Sequence, residues 1–293
     1  MTRPHGTVDF EPSPRFFPFE SRWFDSSVGP LHYIDEGEGR PLLLLHGNPD
    51  WSFLYRKMVP GLERGFRCVV PDYPGFGLSI HPPAPYGYTP REHAAVVAEL
   101  VRHLDLQDAV VMGQDWGGPI GMDVASRLPD RFRGLVMGNT WFWPAEDNTM
   151  RGFSLAMGSP PMQALIKRRN FFVTTVMKRM LQAELSDEEF AHYTEVVPTP
   201  SSRQGIAEFP RQIRASGPWL AELEQRVKAT LTDRPIVLVQ GKKDPAFGSE
   251  RTLDRWRATF PDHRVVVLPE AGHYIQEDAP EAIVQAIIER FAA

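Results

Sequence analysis

The sequence has little cysteine, no long apolar run and no excess of positive charge, and each shortage excludes a class of protein. Its single cysteine, Cys68, cannot form an intrachain disulfide, which excludes a disulfide framework. No run approaches the roughly 18 apolar residues of a membrane-spanning helix. The net charge of −5 argues against a nucleic-acid partner, which usually requires a basic face. The first residues lack the apolar core of a signal peptide, and we expect a cytoplasmic protein.

What the chain contains instead is a regular alternation of strand and helix patterns over 293 residues. Continuous apolar runs, typical of parallel strands buried on both faces, include residues 41–45, 109–112, 236–239 and 265–268. Between the runs, apolar residues recur at helical spacing in 91–104, 117–128 and 279–291. This alternation predicts an α/β protein with a doubly wound, mostly parallel sheet.

The alternation stops after about residue 139 and resumes at Pro235. The intervening segment is aromatic, rich in methionine and helical in pattern, and residues 162–181 read as one long helix. We therefore predict a core of residues 1–140 and 214–293 with a helical cap inserted at 141–213. Ligands in such folds bind beyond the carboxyl ends of the strands, where this cap would exclude water.

The most informative stretch is Val-Val-Met-Gly-Gln-Asp-Trp-Gly-Gly at 110–118. An apolar run ends in Gly-x-Asp-x-Gly before a helical pattern, which has the form of a nucleophile elbow with Asp115 in place of serine. The flanking glycines permit close packing of strand and helix. An aspartate that only caps the helix is the simpler alternative. A carboxylate ionised at neutral pH is, however, a nucleophile that needs no activating base.

Three further polar residues lie in loops just past predicted strands: Asn48, Asp244 and His273. Each alone is compatible with an ordinary turn or cap. Asp115, Asp244 and His273 follow one another along the chain in the order nucleophile, acid, base that α/β-hydrolases show, with each residue just past a strand. We therefore predict a triad of Asp115, Asp244 and His273. Backbone N–H groups of Asn48 and Trp116 would form the oxyanion hole.

These residues resemble the haloalkane dehalogenases of the α/β-hydrolase superfamily over nearly the whole chain. The matching motifs are His-Gly-Asn-Pro at 46–49, Trp-Ser-Phe-Leu-Tyr-Arg at 51–56, Gly-Gln-Asp-Trp-Gly-Gly at 113–118, Phe-Pro-Arg at 209–211 and Ala-Gly-His at 271–273. Members place the triad acid after the strand before the cap or after the strand that follows it. The first position here offers no carboxylate until Glu146, whereas the second offers Asp244.

The resemblance implies a reaction and a role for each residue. Asp115 would displace halide from a carbon atom, and the amide of Asn48 and the indole N–H of Trp116 would receive the halide. Pro210 would line the halide pocket, and His273, oriented by Asp244, would activate water. The implied substrate is a small apolar halogenated molecule, the released ligand is a halide ion, and neither a cofactor nor a metal is implied.

Other functions remain open at this level. Epoxide hydrolases share the Asp-Trp elbow, but they usually grip the oxirane oxygen with two cap tyrosines, and the predicted cap contains only Tyr193. A haloacid or fluoroacetate dehalogenase would need cationic donors for the substrate carboxylate. A serine esterase is disfavoured because the elbow carries aspartate. A catalytically inactive hydrolase fold that serves as a binding protein would be expected to have a broken triad.

Overall fold

The computed structural model describes residues 3–292, in which eight strands form one sheet in the order β1-β2-β4-β3-β5-β6-β7-β8. β2 is antiparallel to both of its neighbours, and the pairs from β4 to β8 are parallel. The strands are β1 (Arg22–Ser26), β2 (Gly29–Glu36), β3 (Arg40–Leu45), β4 (Phe66–Pro71), β5 (Ala109–Gln114), β6 (Phe132–Gly138), β7 (Ile236–Gly241) and β8 (His263–Leu268). The predicted fold class is confirmed.

Helices connect the strands, and the segment between β6 and β7 is helical in the described structure. The helices before and within that segment are α1 (Val59–Leu62), α2 (Pro90–His103), α3 (Gly117–Arg127), α4 (Asn148–Met157), α5 (Pro160–Arg169), α6 (Lys178–Met180), α7 (Asp187–Glu195), α8 (Gln204–Ala215) and α9 (Gly217–Thr230). They are followed after β7 by α10 (Glu250–Thr259), α11 (Ile275–Asp278) and α12 (Pro280–Phe291). The division of the chain at residues 140 and 214 stays a prediction. No helix within residues 3–292 combines the length and apolarity needed to cross a membrane.

The register of the central strands brings their carboxyl ends to one edge. Leu45 of β3 pairs with Gly113 of β5, and Gln114 of β5 pairs with Gly138 of β6. Leu42 to Leu45 are fully buried because β4 and β5 flank β3 and helices cover it. The loops after β3, β5, β7 and β8 therefore meet at the edge where the sequence places its candidate site residues.

The prediction of one helix over 162–181 is wrong. α5 ends at Arg169, the next residue Asn170 has a left-handed φ of 51°, and a π-helical turn over Phe172–Met177 precedes the short α6. Asparagine adopts the left-handed conformation more easily than most residues, so it ends the helix despite an uninterrupted helical pattern. The next helix, α7, begins with a capping box formed by Ser186 and Glu189.

Candidate active site

Asp115 lies on a sharp turn between β5 and α3. Its φ of 48° is left-handed, a conformation that is costly for most residues with a side chain. Two contacts hold the turn: the Asp115 N–H donates to the Asn139 carbonyl at 3.2 Å, and the Thr140 hydroxyl donates to the Asp115 carbonyl at 2.6 Å. The strained turn presents the carboxylate beyond the sheet edge, as the elbow motif predicts.

Glycines permit the close approach of this turn to its surroundings. A Cβ on Gly117 would lie 2.1 Å from the Leu45 carbonyl oxygen, and one on Gly113 would lie 2.3 Å from the Gly117 carbonyl oxygen. A third contact involves the loop after β3, since a Cβ on Gly47 would lie 2.5 Å from the Asp115 Cβ. The close packing predicted for the flanking glycines is confirmed, and Gly47 extends it to the side chain itself.

Gly47→Ala is therefore expected to displace the Asp115 side chain and to lower kcat by about a hundredfold, because small errors in position strongly reduce catalysis. Steady-state turnover measures the effect. Gly152→Ala is the matched control, since its Cβ would meet no atom within 4 Å and alanine favours the helix α4. Wild-type turnover in the Gly47 variant would show that the contact is easily relieved.

The structure brings His273 and Asp244 together beside Asp115. His273 Nδ1 lies 2.8 Å from Asp244 Oδ2, and its Nε2 lies 4.0 Å from Asp115 Oδ1. The second Asp244 oxygen accepts the N–H groups of Ala246 at 2.7 Å and Phe247 at 3.2 Å. Asp244 is thus fixed by its own loop and in turn orients the imidazole.

The loop after β6, the alternative place for a triad acid, holds Asn139, which connects two other loops. Asn139 there accepts the Gly241 N–H with its amide oxygen at 2.9 Å and donates to the Gly272 carbonyl at 2.7 Å. It therefore ties together the loops that carry Asp244 and His273. Glu146, the first carboxylate downstream, is exposed and pairs with Arg255. Sequence reasoning missed the tie, although a polar residue directly after a buried strand was a signal for it.

Charged groups around the site oppose the effect of burial on the pKa values of His273 and Asp115. Burial alone lowers the pKa of His273, but the carboxylates of Asp244, Asp115 and Asp50 together raise that pKa to about 9. Burial raises the pKa of Asp115 above its usual value, while His273 and the backbone N–H groups of Asn48 and Trp116 act against it. The carboxylates around His273 therefore favour its protonated form in the resting site.

The two oxygens of Asp115 are in different environments. Oδ2 accepts the backbone N–H of Asn48 at 2.9 Å, and the backbone N–H of Trp116 also stabilises the carboxylate. Oδ1 is the oxygen nearest His273. The backbone N–H of Asn48, one of the two predicted oxyanion-hole donors, thus contacts the aspartate itself.

Asp50, which sequence reasoning did not single out, is a second buried carboxyl group near the triad. It is fully buried, and within residues 3–292 neither of its oxygens has a hydrogen-bond partner. Burial raises its pKa well above the usual value, with further contributions from Asp115 and Glu277. Its acidic side chain follows His-Gly-Asn-Pro directly, but nothing in the sequence shows how deeply it is buried.

A mostly apolar cavity of about 150 Å³ lies over these groups. Asn48, Asp115, Trp116, Pro210 and His273 all line it, so the predicted halide and triad groups other than Asp244 share one space. The remaining wall is largely apolar and includes Trp141, Met150, Phe153, Phe172, Ile213 and Phe247.

The Phe-Pro-Arg motif at 209–211 places its side chains in three directions. Phe209 stacks on Trp116 with ring centroids 5.3 Å apart, Pro210 lines the cavity, and Arg211 pairs with Glu208 away from it. Across residues 3–292 no group of three or more His, Cys, Asp or Glu side chains is arranged to hold a metal ion.

The sequence pattern of the α/β hydrolase fold family matches residues 40–280, which defines the class of this protein. Haloalkane dehalogenase 2 of Mycobacterium tuberculosis is 54% identical over 285 residues, covering 97% of this chain and 99% of that protein. The chain belongs to the haloalkane dehalogenases, hydrolases that act on carbon–halide bonds.

Two more distant proteins are also similar. The solved structure of haloalkane dehalogenase DbeA from Bradyrhizobium elkani has a TM-score of 0.84 at 26% identity, covering 92% of this chain and 97% of that one. A cis-3-alkyl-4-alkyloxetan-2-one decarboxylase of Shewanella oneidensis is 31% identical, covering 92% of this chain and 87% of that protein. The resemblance seen in the sequence motifs is thus confirmed.

Proposed function

We propose that Asp115 is the nucleophile of the dehalogenase reaction and that Oδ1 is its attacking atom. The observation that carries this assignment is the asymmetry of the carboxylate. Oδ2 accepts the backbone N–H of Asn48, whereas Oδ1 lies beside His273, and the Asp115 side chain lines the cavity. Oδ1 forms a bond to the halogen-bearing carbon, the carbon–halogen bond breaks, and the electron pair leaves with the halide.

The departing halide needs donors where its negative charge develops. The side-chain amide of Asn48 and the indole N–H of Trp116 are neutral donors on the cavity wall, next to Asp115. Neutral donors suit an anion that must later be released, because they bind it less strongly than a cationic side chain. Pro210 completes the apolar side of the halide pocket.

The alkyl-enzyme ester is then hydrolysed. His273 Nε2 takes a proton from water, the resulting hydroxide attacks the ester carbonyl carbon, and Asp244 stabilises the imidazolium that forms. The ester carbonyl oxygen is Oδ2, so the negative charge of the tetrahedral intermediate develops at the N–H donor of Asn48. Collapse releases the alcohol and restores the Asp115 carboxylate, and the products are alcohol, halide and a proton.

The rate of ester hydrolysis is expected to rise with pH through a pKa below about 9, because esterification removes the Asp115 charge that helps raise the pKa of His273 to about 9. Hydrolysis needs neutral His273, so the sign is an increase with pH. Single-turnover measurements between pH 6 and 10 separate this step from halide release. A hydrolysis rate independent of pH over that range would contradict the role of His273.

Trp116→Phe is expected to slow carbon–halogen cleavage by about 10²- to 10³-fold, because it removes one N–H donor and keeps an aromatic ring to stack on Phe209. Rapid-quench measurement of the halide burst reports this step. Trp219→Phe on α9 is the matched control, since Trp219 is buried but does not line the cavity. Equal halide bursts in the two variants would show that the indole N–H of Trp116 is not part of the halide site.

The volume of the cavity indicates the size of substrate that it can hold. Apolar cavities of about 150 Å³ are known to hold a benzene molecule. The cavity beside Asp115 has a similar volume of about 150 Å³, so it suits a substrate of roughly six heavy atoms. We propose short chloro-, bromo- and iodoalkanes as substrates. A halide-release screen over haloalkanes of graded length tests this, and a kcat/KM that keeps rising with chain lengths well beyond six heavy atoms would refute the size limit.

The epoxide hydrolase alternative gains no support from the geometry. The hydroxyl of Tyr193 donates to Glu277, and Tyr193 does not line the cavity. Both enzymes would need Asp115 and His273, so the triad does not separate them. Styrene oxide assayed beside 1,2-dibromoethane does so directly.

A second candidate activity comes from the 31% identity with the oxetan-2-one decarboxylase of Shewanella oneidensis. A four-membered lactone offers Asp115 a carbon whose leaving group is a carboxylate instead of a halide, and loss of carbon dioxide would then expel Asp115 and form an alkene. A short cis-3,4-dialkyloxetan-2-one, followed by gas chromatography of the alkene, tests this activity. Absence of alkene under conditions that release halide from a bromoalkane would exclude it.

A further inference from the structure

α8 contains a proline in its interior. Pro210 follows Ile206 by four residues, which is the spacing of a helical hydrogen bond. Proline has no backbone N–H, so the donor that would normally bond to the Ile206 carbonyl is missing. An interior proline normally destabilises a helix. At the cavity wall it leaves the Ile206 carbonyl in need of another hydrogen-bond donor.

That contact comes from the loop after β3. The side-chain amide nitrogen Nδ2 of Asn48 donates to the Ile206 carbonyl oxygen at 3.3 Å, in a buried environment. The contact also determines which way the amide faces. A rotated amide would place the Asn48 Oδ1 against the Ile206 oxygen, and two acceptors repel each other.

We propose that Pro210 is a positioning residue for the halide donor. Its missing N–H leaves the Ile206 carbonyl free to bind one N–H of Asn48, and this fixes the second N–H of the same amide towards the halide. The proposal rests on the proposed role of Asn48 as a halide donor. It gives Pro210 a backbone function beyond the apolar surface that its ring adds to the cavity.

The proposal makes the effect of residue 210 specific to one step of the reaction. An N–H at this position competes for the Ile206 carbonyl, and the Asn48 amide loses its fixed orientation. Halide binding and carbon–halogen cleavage then weaken. Ester hydrolysis does not, because His273, Asp244 and the backbone N–H of Asn48 bound to Asp115 are unchanged.

The experiment compares two replacements of Pro210 that differ only in the backbone donor. Pro210→Ala introduces an N–H, whereas lactic acid incorporated at the same position has the side chain of alanine and an ester oxygen in place of that N–H. We expect Pro210→Ala to weaken chloride and bromide binding about three- to tenfold and to slow the halide burst to the same extent. The lactic-acid form should bind and react at least threefold better than the alanine form.

Controls separate this proposal from the role of Asn48. Pro218→Ala changes a proline in the first turn of α9, where the N–H has no helical partner, and should leave halide binding unchanged. Asn48→Ala should weaken halide binding by itself, and in that background the alanine and lactic-acid forms at position 210 should bind halide equally. Equal halide binding by the alanine and lactic-acid forms that retain Asn48 overturns the positioning role, even if Asn48→Ala is impaired. An unimpaired Asn48→Ala variant overturns the halide-donor role itself.

Discussion

Asp115→Ala is expected to lower kcat for haloalkane hydrolysis by at least about 10⁴-fold, the order of loss seen when a nucleophile is removed from a catalytic triad. Among residues 3–292, Asp115 is the only carboxylate that lines the cavity, and water attacking the substrate directly would be a weak and poorly positioned nucleophile. The halide burst should disappear together with steady turnover, because the first chemical step is lost. Halide release measured with excess bromoalkane checks both quantities.

The control for this variant must address folding, because alanine at a φ of 48° is strained. Asp115→Asn tolerates the left-handed conformation better, and its amide is a poor nucleophile at the same position. Asp254→Ala, an exposed change on α10, should retain wild-type turnover. A halide burst in a freshly prepared, folded Asp115→Asn sample would assign the nucleophile to another group.

Most of the fold was predictable because its signals are local. A strand buried on both faces, such as Pro41 to Leu45, must be almost wholly apolar, and a helix on its surface must repeat at three and four residues. The break at Asn170 was not predictable in this way. The pattern through that region is helical, and the π-helical turn that follows depends on how Phe172 and Met177 pack in the folded protein.

The proximity of the three proposed triad residues was predictable for a different reason. Asp115, Asp244 and His273 each lie in the loop that follows a parallel strand, and parallel strands bring such loops to one edge without any knowledge of side-chain contacts. The tie made by Asn139 and the burial of Asp50 depend on tertiary contacts between segments more than 50 residues apart, and no pattern in the sequence reports these. The role proposed for Pro210 is of the same kind, since its partner Asn48 lies in another part of the chain.

His273→Phe is expected to release one equivalent of halide per active site and then stop. Asp115 needs no base to attack, so carbon–halogen cleavage proceeds, but no group remains at the Nε2 position to take a proton from water. Loss of the imidazolium also removes the cation that acts against the effect of burial on the pKa of Asp115, and the burst should therefore be faster at high pH. Rapid-quench halide assays give the burst, and intact-protein mass spectrometry detects the trapped alkyl ester.

The position of the trapped group makes this variant the most discriminating one. Peptide mapping should place the alkyl group on the peptide that contains Asp115, and adding Asp115→Asn to His273→Phe should abolish the trapped species. His103→Phe, an exposed histidine at the end of α2, is the matched control and should turn over normally without accumulating ester. Steady turnover by His273→Phe would mean that a different base activates water, and the buried carboxyl of Asp50, whose charge already acts on His273, would be the first group to test.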